Sequence, residues 1–156
     1  LNSQLLSRVF MLTCSCAIVP VSTGCDTGLA NLLGNLLGPS STSVRFVNNT
    51  NFDIEGRIII DDEQNTTEEL LEEFGTEISF SVATGNTNSI SRDCDDFQAF
   101  LLDDANLQLI GTAGPDTRSD VLRDGSDFNC GDTIVLTFTA SAIGANFDVA
   151  VSVESN

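Results

Sequence analysis

From Phe52 to Asp61 the chain alternates. Phe52, Ile54, Gly56, Ile58 and Ile60 fall on one side, and Asp53, Glu55, Arg57, Ile59 and Asp61 on the other. A period of two held this long places one apolar face on an extended strand, and no helix produces it. Such a strand buries one face, so a second apolar layer must lie against it. Shorter stretches repeat the pattern: Val44 and Phe46; Ile78, Phe80 and Val82; Phe97, Ala99 and Leu101; Ile134, Leu136 and Phe138; and Phe147, Val149, Val151 and Val153. Turn-forming clusters separate them, among them Asn48-Asn49-Thr50-Asn51, Gly85-Asn86 and Gly114-Pro115-Asp116. The pattern predicts an all-β fold, an antiparallel β-sandwich of seven to nine strands. The architecture is immunoglobulin-like only in outline, because no tryptophan lies between Cys94 and Cys130.

Two details of the pattern carry further expectations. Thr66 to Phe74 breaks the alternation and predicts the one short helix. Thr66 and Glu69 have capping-box spacing, Leu70, Leu71 and Phe74 share a face, and Gly75 supplies a left-handed stop. This helix is expected to cover one end of the sandwich. Asp103-Asp104-Ala105-Asn106 reads as a four-residue hairpin loop, with Leu107 to Ile110 as the returning strand.

Charge narrows the partners. Lys+Arg number 6 against Asp+Glu 23, a formal net charge of -17, and all the bases are arginines. Such a surface repels nucleic acid and anionic lipid headgroups and favours basic or divalent partners. There is no His, Lys, Trp or Tyr. That removes the usual general base, Schiff-base chemistry, most transition-metal sites and the aromatic platforms for sugars or bases. Paired carboxylates alone would leave a glycosidase without a stacking surface for its sugar. The sequence therefore reads as non-catalytic.

The first 25 residues have a different character. Arg8 precedes an apolar run from Val9 to Val21, too short for a comfortable transmembrane helix, and Ser22-Thr23-Gly24-Cys25 follows. This ending resembles the lipobox of bacterial lipoproteins, in which a cysteine after a small residue becomes the lipidated first residue of the mature chain. Thr23 and Gly24 fit, while Ser22 stands where an aliphatic residue is usual. The resemblance covers residues 1–25 alone. It implies a signal peptide over 1–24, lipid on Cys25 and residence in the cell envelope, periplasmic or at the surface; an ordinary signal peptide would instead give a secreted protein with Cys25 free. Residues 25–42 then form the anchor and linker, with the tandem Asn31-Leu32-Leu33-Gly34 and Asn35-Leu36-Leu37-Gly38 ahead of Pro39. The sandwich occupies 43–156.

Export orders the cysteines. Cys14 and Cys16 leave with the signal and Cys25 takes the lipid, so Cys94 and Cys130 remain as an even pair in an oxidising compartment. A disulfide between them is expected; two cysteines without histidine fall short of a zinc set. Around this pair lie Asp93, Asp95 and Asp96 on one side and Asp124, Asp127 and Asp132 on the other. A disulfide would draw them toward one another, which makes them candidate calcium ligands, since calcium takes six to eight loop oxygens. The spacing does not match an EF-hand, and turn-forming aspartates on a solvated surface explain the same residues. Asn48 and Asn65 stand in N-x-T sequons, to which a bacterial host assigns no role. Three functions fit: a non-catalytic surface or periplasmic sandwich held to the membrane by its lipid, a calcium-dependent adhesion or ligand-binding module, and a subunit of an extracellular assembly that pairs by edge strands.

Overall fold

The computed structural model describes residues 40–109 and 112–155. The signal segment, Cys25, the linker to residue 39 and Ile110 lie outside them. Nine strands run in the order β1 (Ser41–Asn48), β2 (Ile54–Asp61), β3 (Thr76–Val82), β4 (Thr87–Asp93), β5 (Ala99–Leu109), β6 (Thr112–Thr117), β7 (Leu122–Arg123), β8 (Thr133–Thr139) and β9 (Asp148–Glu154). One helix, α1 (Glu68–Phe74), lies between β2 and β3. Two sheets form, ordered β4-β1-β8-β9 and β3-β2-β5-β6, with β7 also on β5. The all-β sandwich expected from the alternation is thus what the chain adopts. Its ladders are antiparallel but for one: β1 and β8 run parallel from Ser43↔Thr133 to Asn48↔Phe138. β1 starts at Ser41, and Thr42 is already buried, so the sandwich takes two residues that composition assigns to the linker.

The core lies where the two alternating faces meet. Val44, Phe46, Ile134, Leu136 and Phe138 come from one sheet, and Ile54, Ile58, Ile60, Phe80, Val82, Phe100 and Leu102 from the other. Phenylalanine supplies the bulk that tryptophan and tyrosine would otherwise bring. Phe46 stacks on Phe80 with ring centroids 4.1 Å apart, and Phe80 on Phe138 at 6.0 Å. Such offset contacts add to area burial and fix how the sheets face each other.

The predicted hairpin at Asp103-Asp104-Ala105-Asn106 is instead the middle of β5, an eleven-residue strand. A bulge explains the misleading pattern. Arg57 opposes Asp104 and Ile58 opposes Leu102, so Asp103 has no partner across the ladder. The extra residue shifts the alternation: Phe100 and Leu102 face the core before it, Ala105 and Leu107 after it. Gly56 sits beside this irregularity, and a Cβ there would meet the Asp104 carbonyl and the Phe80 ring. Gly114-Pro115-Asp116, read as a loop, lies within β6, an outer strand where a proline's missing N–H is tolerated.

The helix forms, but not as capped in the prediction. Thr67 rather than Thr66 is the N-cap, its hydroxyl accepting from the Leu70 amide at 3.4 Å. Thr66 is buried and donates to the Glu63 carbonyl. Gly75 ends the helix at φ -65, an extended conformation, and its N–H caps the Leu71 carbonyl. Of the expected apolar face only Leu71 is buried; Leu70 and Phe74 stay 46% and 71% exposed. Nor does α1 cover an end. Leu71 seats on Ile59, Ala99 and Leu101, the outer face of the five-stranded sheet. This second layer accounts for Ile59, the one apolar residue on the otherwise charged side of β2.

Asn48 closes the far end of β1. It is 1% exposed, and its Nδ2 donates to the carbonyls of Phe52 at 2.8 Å and Val82 at 3.0 Å. Its Oδ1 accepts from the Thr50 amide and hydroxyl at 2.9 and 2.8 Å. All its hydrogen-bonding capacity is used inside the fold, so this sequon serves as a buried clamp joining β1, β2 and β3.

Burial predicts the response of α1 to truncation. Leu71→Ala should cost about 2–4 kcal/mol in urea unfolding, through lost burial and a cavity. Phe74→Ala, at an exposed site, should stay within about 0.5 kcal/mol.

Candidate functional site

Two places on the sandwich combine geometry with uncompensated chemistry. The first is the end where the chain enters at Ser40. A 3-10 turn, Cys94–Asp96, follows β4, and Cys94 is bonded to Cys130 with Cα atoms 5.5 Å apart. The Cys94 amide donates to the Ser40 carbonyl at 3.0 Å, which ties the start of β1 to the same turn. Below the bridge Phe97 stacks on Phe100 and meets Phe128 edge-on. Gly131, at φ 98, lets the chain reverse after Cys130 in a conformation that side chains disfavour. The disulfide therefore joins two loops above one aromatic cluster.

The six candidate calcium ligands divide between several jobs. Asp93 and Asp95 line a crevice of about 470 Å³ with Ser40, Cys94 and Cys130. Asp96 faces a different crevice of about 350 Å³, beside Asp61, Asp62, Phe74 and Arg92. Asp127 builds a turn, its Oδ2 accepting from the Arg123 amide at 2.8 Å. The Asp132 Oδ2 accepts from the Asn129 amide at 2.8 Å, and the residue is buried. Asp124 takes part through its backbone, donating to the Gln98 carbonyl and accepting from Gln64. Among the described residues no three acids or cysteines gather into a group that could hold a metal ion.

The second place is β9, which the sequence presents as an ordinary core strand. Val149, Val151 and Val153 lie opposite Phe138, Leu136 and Ile134 and share their inward face. Yet Val151 and Val153 are 39% and 36% exposed. Across an open cleft from Val149 and Val151 lie Arg118, Ser119 and Asp120, a polar run. Glu68, Arg118, Asp120, Val149 and Val151 line this cleft of about 410 Å³. Arg118 Nη2 reaches Glu68 and Glu72 at 2.6 Å each. The Glu72 hydrogen bond, despite some desolvation, raises the guanidinium above its ordinary pKa. One arginine held by two carboxylates, with Asp120 beside it, leaves the rim negative. The signal for this site is the polar run 118–120, which only the fold sets against β9.

Two measurements follow from the first place. Replacing both Cys94 and Cys130 by serine should lower stability by about 4 kcal/mol, the chain-entropy value for a loop of this size, read as a fall in Tm. Millimolar calcium and sodium chloride at matched ionic strength should raise Tm equally, as screening of a dispersed acidic surface requires. A calcium-specific rise abolished by Asp127→Asn would instead mark a bound ion.

No protein family matches the chain, and no curated protein matches it. Among solved structures it is similar to the T6SS lipoprotein TssJ1 from Pseudomonas aeruginosa, at 13% identity over 76% of this chain and 99% of that one, with a TM-score of 0.43. A likeness of that size carries no argument about what this protein does.

Proposed function

We propose that this chain is an exported bacterial protein, held to a membrane by lipid on Cys25, whose sandwich binds other proteins of the cell envelope without catalysis. The observation that carries the reading is the bond between Cys94 and Cys130. Disulfides form and persist outside the reducing cytosol, so the bond supports export independently of the signal-like residues 1–24. The order of features along the chain agrees with an anchor. Residues 26–40 reach about 50 Å when extended, enough to hold the sandwich clear of the lipid surface. The described residues contain no helix long and apolar enough to cross a membrane.

The surface chemistry favours protein contact. Without tryptophan or tyrosine the usual platforms for sugar stacking are missing, and a net charge of -17 turns away nucleic acid. Binding of basic protein surfaces is what such a charge promotes, chiefly through faster encounter.

Cell fractionation tests the anchor. Wild type should sediment with membranes and incorporate labelled fatty acid. Cys25→Ser should move the protein to the soluble exported fraction without changing its melting temperature, because residue 25 lies ahead of the sandwich. Unlabelled protein found in the cytosol would overturn the reading.

A further inference from the structure

We propose that the face of α1 formed by Leu70 and Phe74 docks a protein partner that presents an arginine or lysine beside an apolar side chain on one surface. The proposal rests on the reading of the chain as a protein-binding module and names its surface. Leu70 and Phe74 are four residues apart, so they are neighbours on the helix. They are 46% and 71% exposed, while every other described phenylalanine is buried or half-buried. Phe74 thus stands outside the aromatic packing that aligns the sheets.

A crevice of about 300 Å³ opens beside this pair, lined by Asp61, Asp62, Glu63, Thr66, Leu70 and Phe74. Three of these residues are acids and none is basic. The Asp61 Oδ1 accepts from the Glu63 amide at 2.9 Å, which shapes the turn after β2. Among the described residues Asp61, Asp62 and Glu63 enter no ion pair; the paired carboxylates are those of Glu68, Glu72, Glu77, Asp103 and Glu154. Asp61, Asp62 and Phe74 also line the neighbouring crevice, which holds Arg92. The Arg92 Nη1 donates to the Ser91 carbonyl at 3.0 Å. The crevice beside Leu70 therefore carries negative charge with no cation of its own.

Charge and apolar surface meeting in one crevice select the occupant. An arginine or lysine lays its methylene stem on apolar surface and keeps its charged head among polar groups. Leu70 and Phe74 offer that surface, the ring itself attracts a cation, and the carboxylates receive the head. A further apolar side chain from the same partner covers the rest of Leu70 and Phe74. Anionic lipid headgroups are repelled by the same carboxylates. A second copy of this chain has little to offer. Its Arg45, Arg57 and Arg118 are paired with its own acids, Arg123 donates to the Thr66 carbonyl, and Arg92 lies in the adjoining crevice with Asp61, Asp62 and Asp96. The chain's own residues 26–39 contain one acid, Asp26, and no base, so they would leave the carboxylates unmet.

The test titrates the full chain with a capped five-residue peptide in the order leucine, serine, arginine, serine, leucine. Extended, this peptide sets its arginine and both leucines on one face. NMR shifts should concentrate on Asp61, Asp62, Glu63, Leu70 and Phe74. Replacing the arginine by uncharged citrulline, or the leucines by serine, should weaken binding about tenfold or more. Phe74→Ala and Asp62→Asn should each do the same, both at exposed positions that leave the fold intact. Glu55→Gln removes the same charge from an exposed site at the other end of β2 and should leave binding unchanged. Equal binding by the citrulline peptide, equal loss with Glu55→Gln and Asp62→Asn, or no shift at Leu70 and Phe74 would overturn the proposal. So would a dimer or vesicle binding that Phe74→Ala abolishes, or peptide binding that appears only after residues 26–39 are removed. Fractionation of the Cys25→Ser variant reads the anchored-module function separately, so either can fail while the other stands.

Discussion

The sandwich depends on the contact of Phe46, Phe80 and Phe138 between its two sheets. One ring from β3 sits between rings from β1 and β8, and the remaining aliphatic residues pack around that column. Room for it comes from Gly56, whose missing side chain lets Phe80 and the bulged segment of β5 approach β2 closely. In a chain with no tryptophan or tyrosine, these rings are the largest apolar groups available, and packing at interior density leaves little freedom in how the sheets align.

Among the described residues the outer face of the five-stranded sheet gains a second layer where α1 meets β2 and β5. That layer rests on Leu71. By seating on Ile59, Ala99 and Leu101, it turns the outer face of β2 and β5 into a small second core and frees Leu70 and Phe74 to solvent. The bulge at Asp103 shifts the inward positions of β5 from Phe100 and Leu102 to Ala105 and Leu107. Arg57 then reaches Asp103, and that hydrogen bond raises its pKa above the ordinary value.

The ends and edges of the molecule differ in chemistry. The end at Ser40 is bound by the disulfide, with Asp93 and Asp95 beside it and Asp96 facing a separate crevice. The far end is closed by Asn48 and its four hydrogen bonds. Among the described residues β9 has a strand on one side only, and Val151 and Val153 stay partly exposed.

The fold class, the helix and the disulfide were legible from the chain because each rests on local or compositional information. Alternation at a period of two marks strands wherever they pair, and the even cysteine pair points to one bond. The signal-like residues and the absent residue types likewise needed no structure. Tertiary structure decided what depends on partners distant in sequence. Whether Leu70 or Leu71 is buried depends on which face of α1 meets β5. Asp103 reads as a turn residue until Arg57 and Ile58 show it to be a bulge. Asn48 reads as a turn or a sequon until Phe52 and Val82 take its amide. Val151 and Val153 read as core until the fold leaves both partly exposed. In each case one side chain fits several environments equally well, and only the opposing layer selects among them.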